Sequence, residues 1–236
     1  MWLNSEQLTD DAIAGFRASL LKSCPNHIVI DNLFDEATLG KVVKVLQQPD
    51  GWITQRHTYD ELYVDDTQWQ TSPSDERFVQ RDVWQREANG SSRASLDSPD
   101  VKIAQSFLSF LRGNEFLSIL SRIFDVPLTD LNVADPSINT NFFRLAADDF
   151  VEQHADDSPG REVCMLLYLN KDWDQNAGGE LVFVGGDKGS VEISPLYNRC
   201  VLFDPSSTGS EHWVARMNAE HAGGHRYNVT SWYWSE

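Results

Sequence analysis

His154-Ala155-Asp156 places an imidazole and a carboxylate at i and i+2, and an extended segment projects both to one side. Alone, His-x-Asp is a weak signal, because a chain rich in Asp produces it by chance. It gains weight from Glu211-His212-Trp213-Val214 further along, which reads as the opening of a strand that could return beside His154. Two imidazoles and one carboxylate on neighbouring strands form the facial triad that holds non-haem iron(II) with coordination positions left open. Open positions are what oxygen chemistry requires. A fixed cation near the triad would select an anionic partner, and Arg226 opens the run Arg226-Tyr227-Asn228-Val229-Thr230-Ser231-Trp232-Tyr233-Trp234. In an extended chain Arg226, Asn228, Thr230, Trp232 and Trp234 share a face. A guanidinium grips a carboxylate through two parallel bonds. At this level Arg226 could equally be a surface residue at a strand start.

The elements that must position these residues are legible in outline. Apolar positions recur with helical spacing at Ala12, Ile13, Phe16, Leu20 and Leu21, and again at Leu39, Val42, Val43 and Leu46, which predicts two helices. Further helices are expected over about Asp100 to Arg112 and Glu115 to Phe124. His27-Ile28-Val29-Ile30-Asp31 is a short β-branched run that reads as a strand. From Ser137 onward strands follow at short spacing: Ile138 to Leu145, Val163 to Asn170, Glu180 to Val184, Ser190 to Ile193, Cys200 to Phe203, His212 to Ala215 and Arg226 to Trp234. Turn residues such as Ser158-Pro159-Gly160, Gly178-Gly179 and Pro205-Ser206-Ser207 separate them. The expected fold is mainly β with flanking helices: a jelly roll at residues 136–236, braced on one outer face by the helices of residues 1–135, in one domain of 236 residues.

Composition narrows the function. Nineteen Lys and Arg against 36 Asp and Glu give a net charge of −17; an acidic field repels a phosphate backbone, which argues against a nucleic-acid partner. The longest apolar run, Val163 to Leu169, is far short of the about 20 residues of a membrane span. The N-terminus has neither a basic region nor an apolar stretch, so no secretory signal is read and a cytoplasmic location is expected. Three widely separated cysteines, Cys24, Cys164 and Cys200, argue for reduced thiols rather than a disulfide framework or a structural zinc site.

Together these residues carry a resemblance. From about Phe143 to Trp234 the chain resembles the double-stranded β-helix of the iron(II)- and 2-oxoglutarate-dependent oxygenases, and most of all their prolyl hydroxylase-like subgroup. The text that carries it is His154-Ala155-Asp156, Gly160-Arg161, Leu167-Tyr168-Leu169-Asn170-Lys171-Asp172-Trp173-Asp174, Gly178-Gly179-Glu180-Leu181, Glu211-His212-Trp213-Val214 and Arg226 to Tyr233. Pro25 to Phe34 resembles the family's first strand, whereas residues 50–135 match nothing that can be placed. The resemblance implies that His154, Asp156 and His212 bind Fe(II). It implies that Arg226 and Tyr168 hold the distal carboxylate of 2-oxoglutarate, with Leu181 and Trp232 lining that pocket and Thr230 near its carboxylate or the metal-bound water. Arg161 matches a position at the mouth that faces the substrate. The implied reaction couples O2 and the oxidative decarboxylation of 2-oxoglutarate to hydroxylation of an unactivated C–H, with ascorbate as reductant. The implied substrate is a prolyl or other residue of a protein or peptide; a free amino acid or small metabolite is the alternative, and a non-catalytic jelly-roll binding module is a third reading. Because Asp156 is present, the resemblance favours hydroxylation over halogenation.

Three departures bear on the match. Leu145 stands where many relatives have tyrosine, Cys164 where threonine is common, and the stretch before Arg226 is long and carries two rival ligands, His221 and His225. Both rivals read as loop residues. Thr58 to Arg81 lies where relatives carry a mobile substrate cover, and Trp52, Trp69, Trp84 and Trp213 are read as packing residues in preference to the rim of a groove.

Overall fold

The computed structural model describes residues 1–85, 99–129, 139–187, 189–220 and 224–235. Among them run the helices α1 (Asp10–Leu20), α2 (Glu36–Leu46), α3 (Asp66–Thr71), α4 (Pro99–Leu111) and α5 (Asn114–Phe124). The strands are β1 (His27–Asp31), β2 (Trp52–Thr58), β3 (Arg77–Trp84), β4 (Thr140–Leu145), β5 (Phe150–Val151), β6 (Arg161–Tyr168), β7 (Leu181–Gly186), β8 (Gly189–Ile193), β9 (Arg199–Phe203), β10 (His212–Val214) and β11 (Arg226–Trp234). They form two antiparallel sheets: an eight-stranded one in the order β1-β9-β6-β11-β4-β3-β2, with β5 on β3, and a three-stranded one in the order β10-β7-β8. The sheets face each other as a jelly roll.

Strand β6 shows how the large sheet is covered on both faces. Val163, Met165 and Leu167 pack with the helices through one face, while Cys164, Leu166 and Tyr168 meet Leu181, Phe183 and Ile193 of the small sheet through the other. Both faces are apolar because both are covered, and the period of two sends alternate residues to different cores. Helices α1 and α2 start at side-chain caps, with Thr9 accepting from the Ala12 N–H and Asp35 from the Thr38 N–H, which satisfies amides the helix leaves open. Their apolar faces (Ile13 and Leu20; Leu39, Val42, Val43 and Leu46) are buried in the outer core. The expected strands all form, although the start given for the first of them, Ile138, and His221 lie outside the described residues. None of the helices among the described residues is long and apolar enough to cross a membrane.

Residues 52–84 differ from the sequence reading. They add a β2–β3 hairpin to the edge of the large sheet, and Thr58 to Arg81 is not a bare loop. Helix α3 opens on a capping box between Asp65 and Gln68, and Trp69 lies buried between the guanidinium groups of Arg56 and Arg77, stacked on Phe150. The periodicity is weak because this order comes from caps, cation–π contacts and β pairing rather than from one apolar stripe. Trp84 is likewise buried, and Trp52 packs on Tyr227 and Arg144.

His57 of β2 is buried against Tyr63 and Phe78, and its Nε2 has no hydrogen-bond partner. Burial first, then the charges of Arg81 and His154, pull its pKa from 6.5 to about 4. The folded protein therefore refuses a proton that the unfolded chain accepts. Stability from this group is full above about pH 6.5 and is lost as pH falls towards 4, by about 2 kcal/mol at pH 5. Between pH 7 and pH 5 the urea midpoint of His57→Phe is expected to fall less than that of wild type; equal slopes would refute the assignment.

Candidate active site

The site is assembled at the open end of the roll. An isolated antiparallel bridge joins His154 to His212, each backbone N–H donating to the other's carbonyl at 3.0 Å. This bridge fixes the two rings with centroids 4.4 Å apart. The Nδ1 of His154 lies 2.9 Å from the Glu152 carbonyl and the Nδ1 of His212 lies 2.9 Å from the Ser210 carbonyl. A carbonyl oxygen only accepts, so each Nδ1 carries a proton and Nε2 is the nitrogen left for a ligand. Both Nε2 atoms face the same carboxylate: His154 at 3.9 Å from Asp156 Oδ1 and His212 at 3.7 Å from Asp156 Oδ2. One candidate ligand atom from each of the three residues lies within 4.8 Å of the others.

Electrostatics keep His212 and Asp156 in their ligating forms. Burial, reinforced by His154, pulls the His212 pKa to about 4, so the ring is neutral at pH 7. Burial pushes the Asp156 carboxyl up, but His212, His154, the Trp232 hydrogen bond and Arg161 together outweigh it and hold it below its ordinary value. Trp232 Nε1 donates to Asp156 Oδ2 at 2.8 Å. Arg161 donates to the Asp156 carbonyl, with the same guanidinium 3.7 Å from Oδ1, and spreads over the rings of Trp232 and Trp234. The Cys164 thiol, pushed up well above its ordinary value chiefly by burial, stays protonated.

From the triad a cleft of about 420 Å³, partly open to solvent, runs along β11. The sequence reading put the even-numbered residues of this strand on one face; the structure places Arg226, Asn228, Thr230 and Trp232 in the cleft wall with Leu181. At its inner end Arg226, 1% exposed, donates from Nε to the Gly179 carbonyl (2.7 Å) and from Nη1 to Asn228 Oδ1 (3.0 Å), while Asn228 Nδ2 donates to Thr230 Oγ1 (3.0 Å). Its guanidinium lies 4.9 Å over the ring of Tyr168. Arg226 Nη2 and the Tyr168 hydroxyl are both buried without a hydrogen-bond partner. Burial lowers the Arg226 pKa against the opposing pull of Tyr168, and burial pushes that of Tyr168 up to about 12, so the hydroxyl keeps its proton at neutral pH beside a guanidinium, which is charged throughout this range. Two buried, unpaired donors side by side are costly unless an acceptor arrives.

The turn that supplies the Gly179 carbonyl depends on Gly178. Its φ is +74°, and a Cβ there would stand 2.3 Å from the Arg216 carbonyl oxygen. Gly178→Ala is expected to lower unfolding stability by about 3 kcal/mol and to disturb Arg226 through the neighbouring carbonyl. A urea titration of the purified variant measures the first effect; a loss under 1 kcal/mol would show that the turn has another conformation available.

All nine candidate residues from the sequence lie at this end of the roll, although Arg161 contacts Asp156 and the two tryptophans rather than the cleft wall. Of the rival ligands, His225 sits on the approach to β11 against Tyr227, with Arg144 and Asp82 near, and is not part of the ligand cluster. Leu145 lines the cleft as an apolar wall. Sequence reasoning missed Arg81 of β3, which also lines the cleft. The alternation Arg77, Val79, Arg81, Val83 was its only trace, in a stretch with no placed neighbours.

Residues 140–234 match the family model described as 2OG-Fe(II) oxygenase superfamily. Prolyl 3-hydroxylase OGFOD1 of Mus musculus is 27% identical over 135 residues, which is 55% of this chain and 23% of that protein. This chain thus spans under a quarter of that relative's length. A prolyl hydroxylase from Trichoplax adhaerens, solved in complex with a hypoxia inducible factor oxygen degradation domain peptide fragment, superposes with a TM-score of 0.65 at 18% identity, covering 98% of this chain and 92% of the other. A Pseudomonas putida prolyl-4-hydroxylase gives a TM-score of 0.60 at 14% identity, covering 94% and 98%. These two likenesses show a shared fold. The segment that matches the 2OG-Fe(II) oxygenase superfamily model, residues 140–234, contains the whole ligand cluster and the Arg226 strand.

Proposed function

We propose that the chain is an iron(II)- and 2-oxoglutarate-dependent dioxygenase that hydroxylates an unactivated C–H of a prolyl residue in a protein or peptide. The observation that carries the proposal is a cleft lined both by the ligand set His154, Asp156 and His212 and by Arg226, whose Nη2, like the hydroxyl of the adjacent Tyr168, is buried without a hydrogen-bond partner. The donor set fits the metal, since two imidazoles that present Nε2 and one carboxylate suit iron(II). Iron bound there, with O2 and 2-oxoglutarate, supplies the oxidising chemistry of the family.

The chain's own groups bind, orient and exclude water. Arg226 and Tyr168 hold the distal carboxylate of the cosubstrate as two charge-assisted or strong donors. Asn228 fixes the Arg226 fork and, by donating to Thr230, leaves the Thr230 hydroxyl hydrogen free for an acceptor in the cleft. Trp232 keeps the Asp156 carboxylate aimed at the two rings, as an outer-shell partner of a ligand does. Arg161, anchored on Asp156 at the mouth, is the substrate-facing cation. Leu145, Val151, Leu166, Leu181 and Val214 give the cleft apolar walls, which strengthens each polar contact inside. The prolyl assignment takes its support from the mouse relative and the two prolyl hydroxylase neighbours; the net charge of −17 disfavours nucleic-acid substrates.

The test is conversion of 2-oxoglutarate to succinate by the purified protein with iron(II) and ascorbate in air, with a cell extract split into protein and small-molecule fractions. Stimulation by the protein fraction, with a mass gain of one oxygen on a proline-containing peptide, is the expected result. Stimulation by the small-molecule fraction alone would replace a polypeptide substrate by a metabolite. Absence of succinate in every mixture despite bound iron would overturn the enzymatic reading.

A further inference from the structure

We infer that Arg81 is a second carboxylate-binding residue of the cleft, holding the end of the dicarboxylate cosubstrate that Arg226 does not reach. The inference rests on the 2-oxoglutarate reading above and deepens it.

The placement follows from register. Gln55 of β2 pairs with Arg81 of β3. Asp82 and Val83 pair with Arg144 and Phe143 of β4, so the same register sets Arg81 opposite Leu145. Leu145 in turn pairs with Arg226 of β11. Residues directly opposite on paired strands point to the same face, and the row Gln55–Arg81–Leu145–Arg226 therefore crosses the sheet with both guanidinium groups on the cleft side. The strands of Arg81 and Arg226 are two steps apart, about 10 Å at the backbone, and both side chains line the one cleft.

Arg81 is held ready. Its Nε donates to Gln55 Oε1 at 3.0 Å, and its Cζ stands 3.6 Å over the ring of Phe143. These contacts fix the plane of the fork through Nε and the ring of Phe143, at the wall of the cleft that Arg81 lines. Two cations in one cleft repel each other, and the Asp156 carboxylate, which favours the charged form of Arg81, is shared with Trp232, Arg161 and the two histidines. An anion between the cations removes that conflict.

Arg226 cannot serve both ends of a dianion. Gly179 accepts from its Nε and Asn228 from one N–H of Nη1, and the unpartnered Nη2 beside the Tyr168 hydroxyl is oriented for one carboxylate. The second carboxylate enters a stretch walled by Leu145 and Val151, where it needs a compensating charge beyond the metal. Arg81 is the other cation lining the cleft.

The experiment compares two ligands on manganese-loaded protein by calorimetry: 2-oxoglutarate, and 4-oxopentanoate, which keeps the distal carboxylate and the ketone but has methyl in place of the carboxylate next to it. Arg81→Gln is expected to weaken 2-oxoglutarate binding roughly 10- to 100-fold and to change 4-oxopentanoate binding less than about 3-fold. Arg81→Lys, which keeps the charge without the planar fork, is expected to fall between wild type and Arg81→Gln. It also keeps the test available if Arg81→Gln does not fold, since thermal melting identifies that outcome. Unchanged 2-oxoglutarate binding in Arg81→Gln, or equal losses for both ligands, would overturn the inference while leaving the cosubstrate site standing. Failure of wild type to bind 2-oxoglutarate, or indifference to Arg226→Gln, would instead remove the reading beneath it.

Discussion

Alanine at Asp156 is expected to lower iron(II) affinity by more than about 100-fold, beyond the loss caused by removing an outer-shell partner, and to reduce succinate formation to background. The reason is geometric. Asp156 is the point on which both Nε2 atoms converge, at 3.9 and 3.7 Å, and without it two imidazoles remain. Folding should survive the change, since Trp232 Nε1 loses its acceptor at a cost of about 1–3 kcal/mol. His212→Ala is expected to lose the metal in the same way, whereas His225→Ala retains it. Metal content after dialysis, read beside a thermal melt, checks all three variants. Loss of metal in His225→Ala with retention in His212→Ala would show that the ligand on the second strand has been misassigned.

Arg226→Ala should separate the two ends of the cleft. Iron(II) binding is expected to stay within a few-fold of wild type, because Arg226 bonds to Gly179 and Asn228 and not to His154, Asp156 or His212, while the 2-oxoglutarate concentration needed for half-maximal turnover rises by about 100-fold or more. That figure corresponds to losing a buried, charge-assisted grip on a carboxylate, about 3 kcal/mol. The variant also leaves the Gly179 carbonyl and Asn228 Oδ1 without their donor, so unfolding stability should fall by about 2–4 kcal/mol. A cosubstrate titration at fixed iron, followed by succinate, measures the first effect and a urea melt the second. Full activity at low cosubstrate would refute the role of Arg226. Arg226→Lys restores the charge but not the fork and should recover only part of the affinity.

These variants probe a site whose parts were unevenly visible in the chain. His154-Ala155-Asp156, His212 and Arg226 are recognisable because metal and carboxylate chemistry need particular residue types, and residue type is written in the sequence. The face shared by Arg226, Asn228, Thr230 and Trp232 is equally legible, since a strand alternates with period two whatever surrounds it. The outer helices could be read from apolar spacing at Ile13 and Leu20, and at Leu39, Val42 and Leu46, because an amphipathic stripe is a local property.

The β2–β3 hairpin left no such mark. It is held by Trp69 between Arg56 and Arg77, by the Asp65–Gln68 capping box and by pairing to β4 and β5, contacts that exist only once distant segments meet. For the same reason Arg81 could not be assigned: a lone arginine in a polar stretch becomes a cleft residue only when strand pairing sets it in one row with Arg226. Residue types already set out which chemistry is available: two imidazoles and a carboxylate that could hold a metal, a guanidinium suited to a carboxylate, and a strand face to carry it. Tertiary structure alone decided which of three histidines pairs with His154, that Trp232 and Arg161 steady Asp156, and that a second cation faces the cleft. Those outcomes depend on strand register, a long-range property that no local pattern of residues encodes.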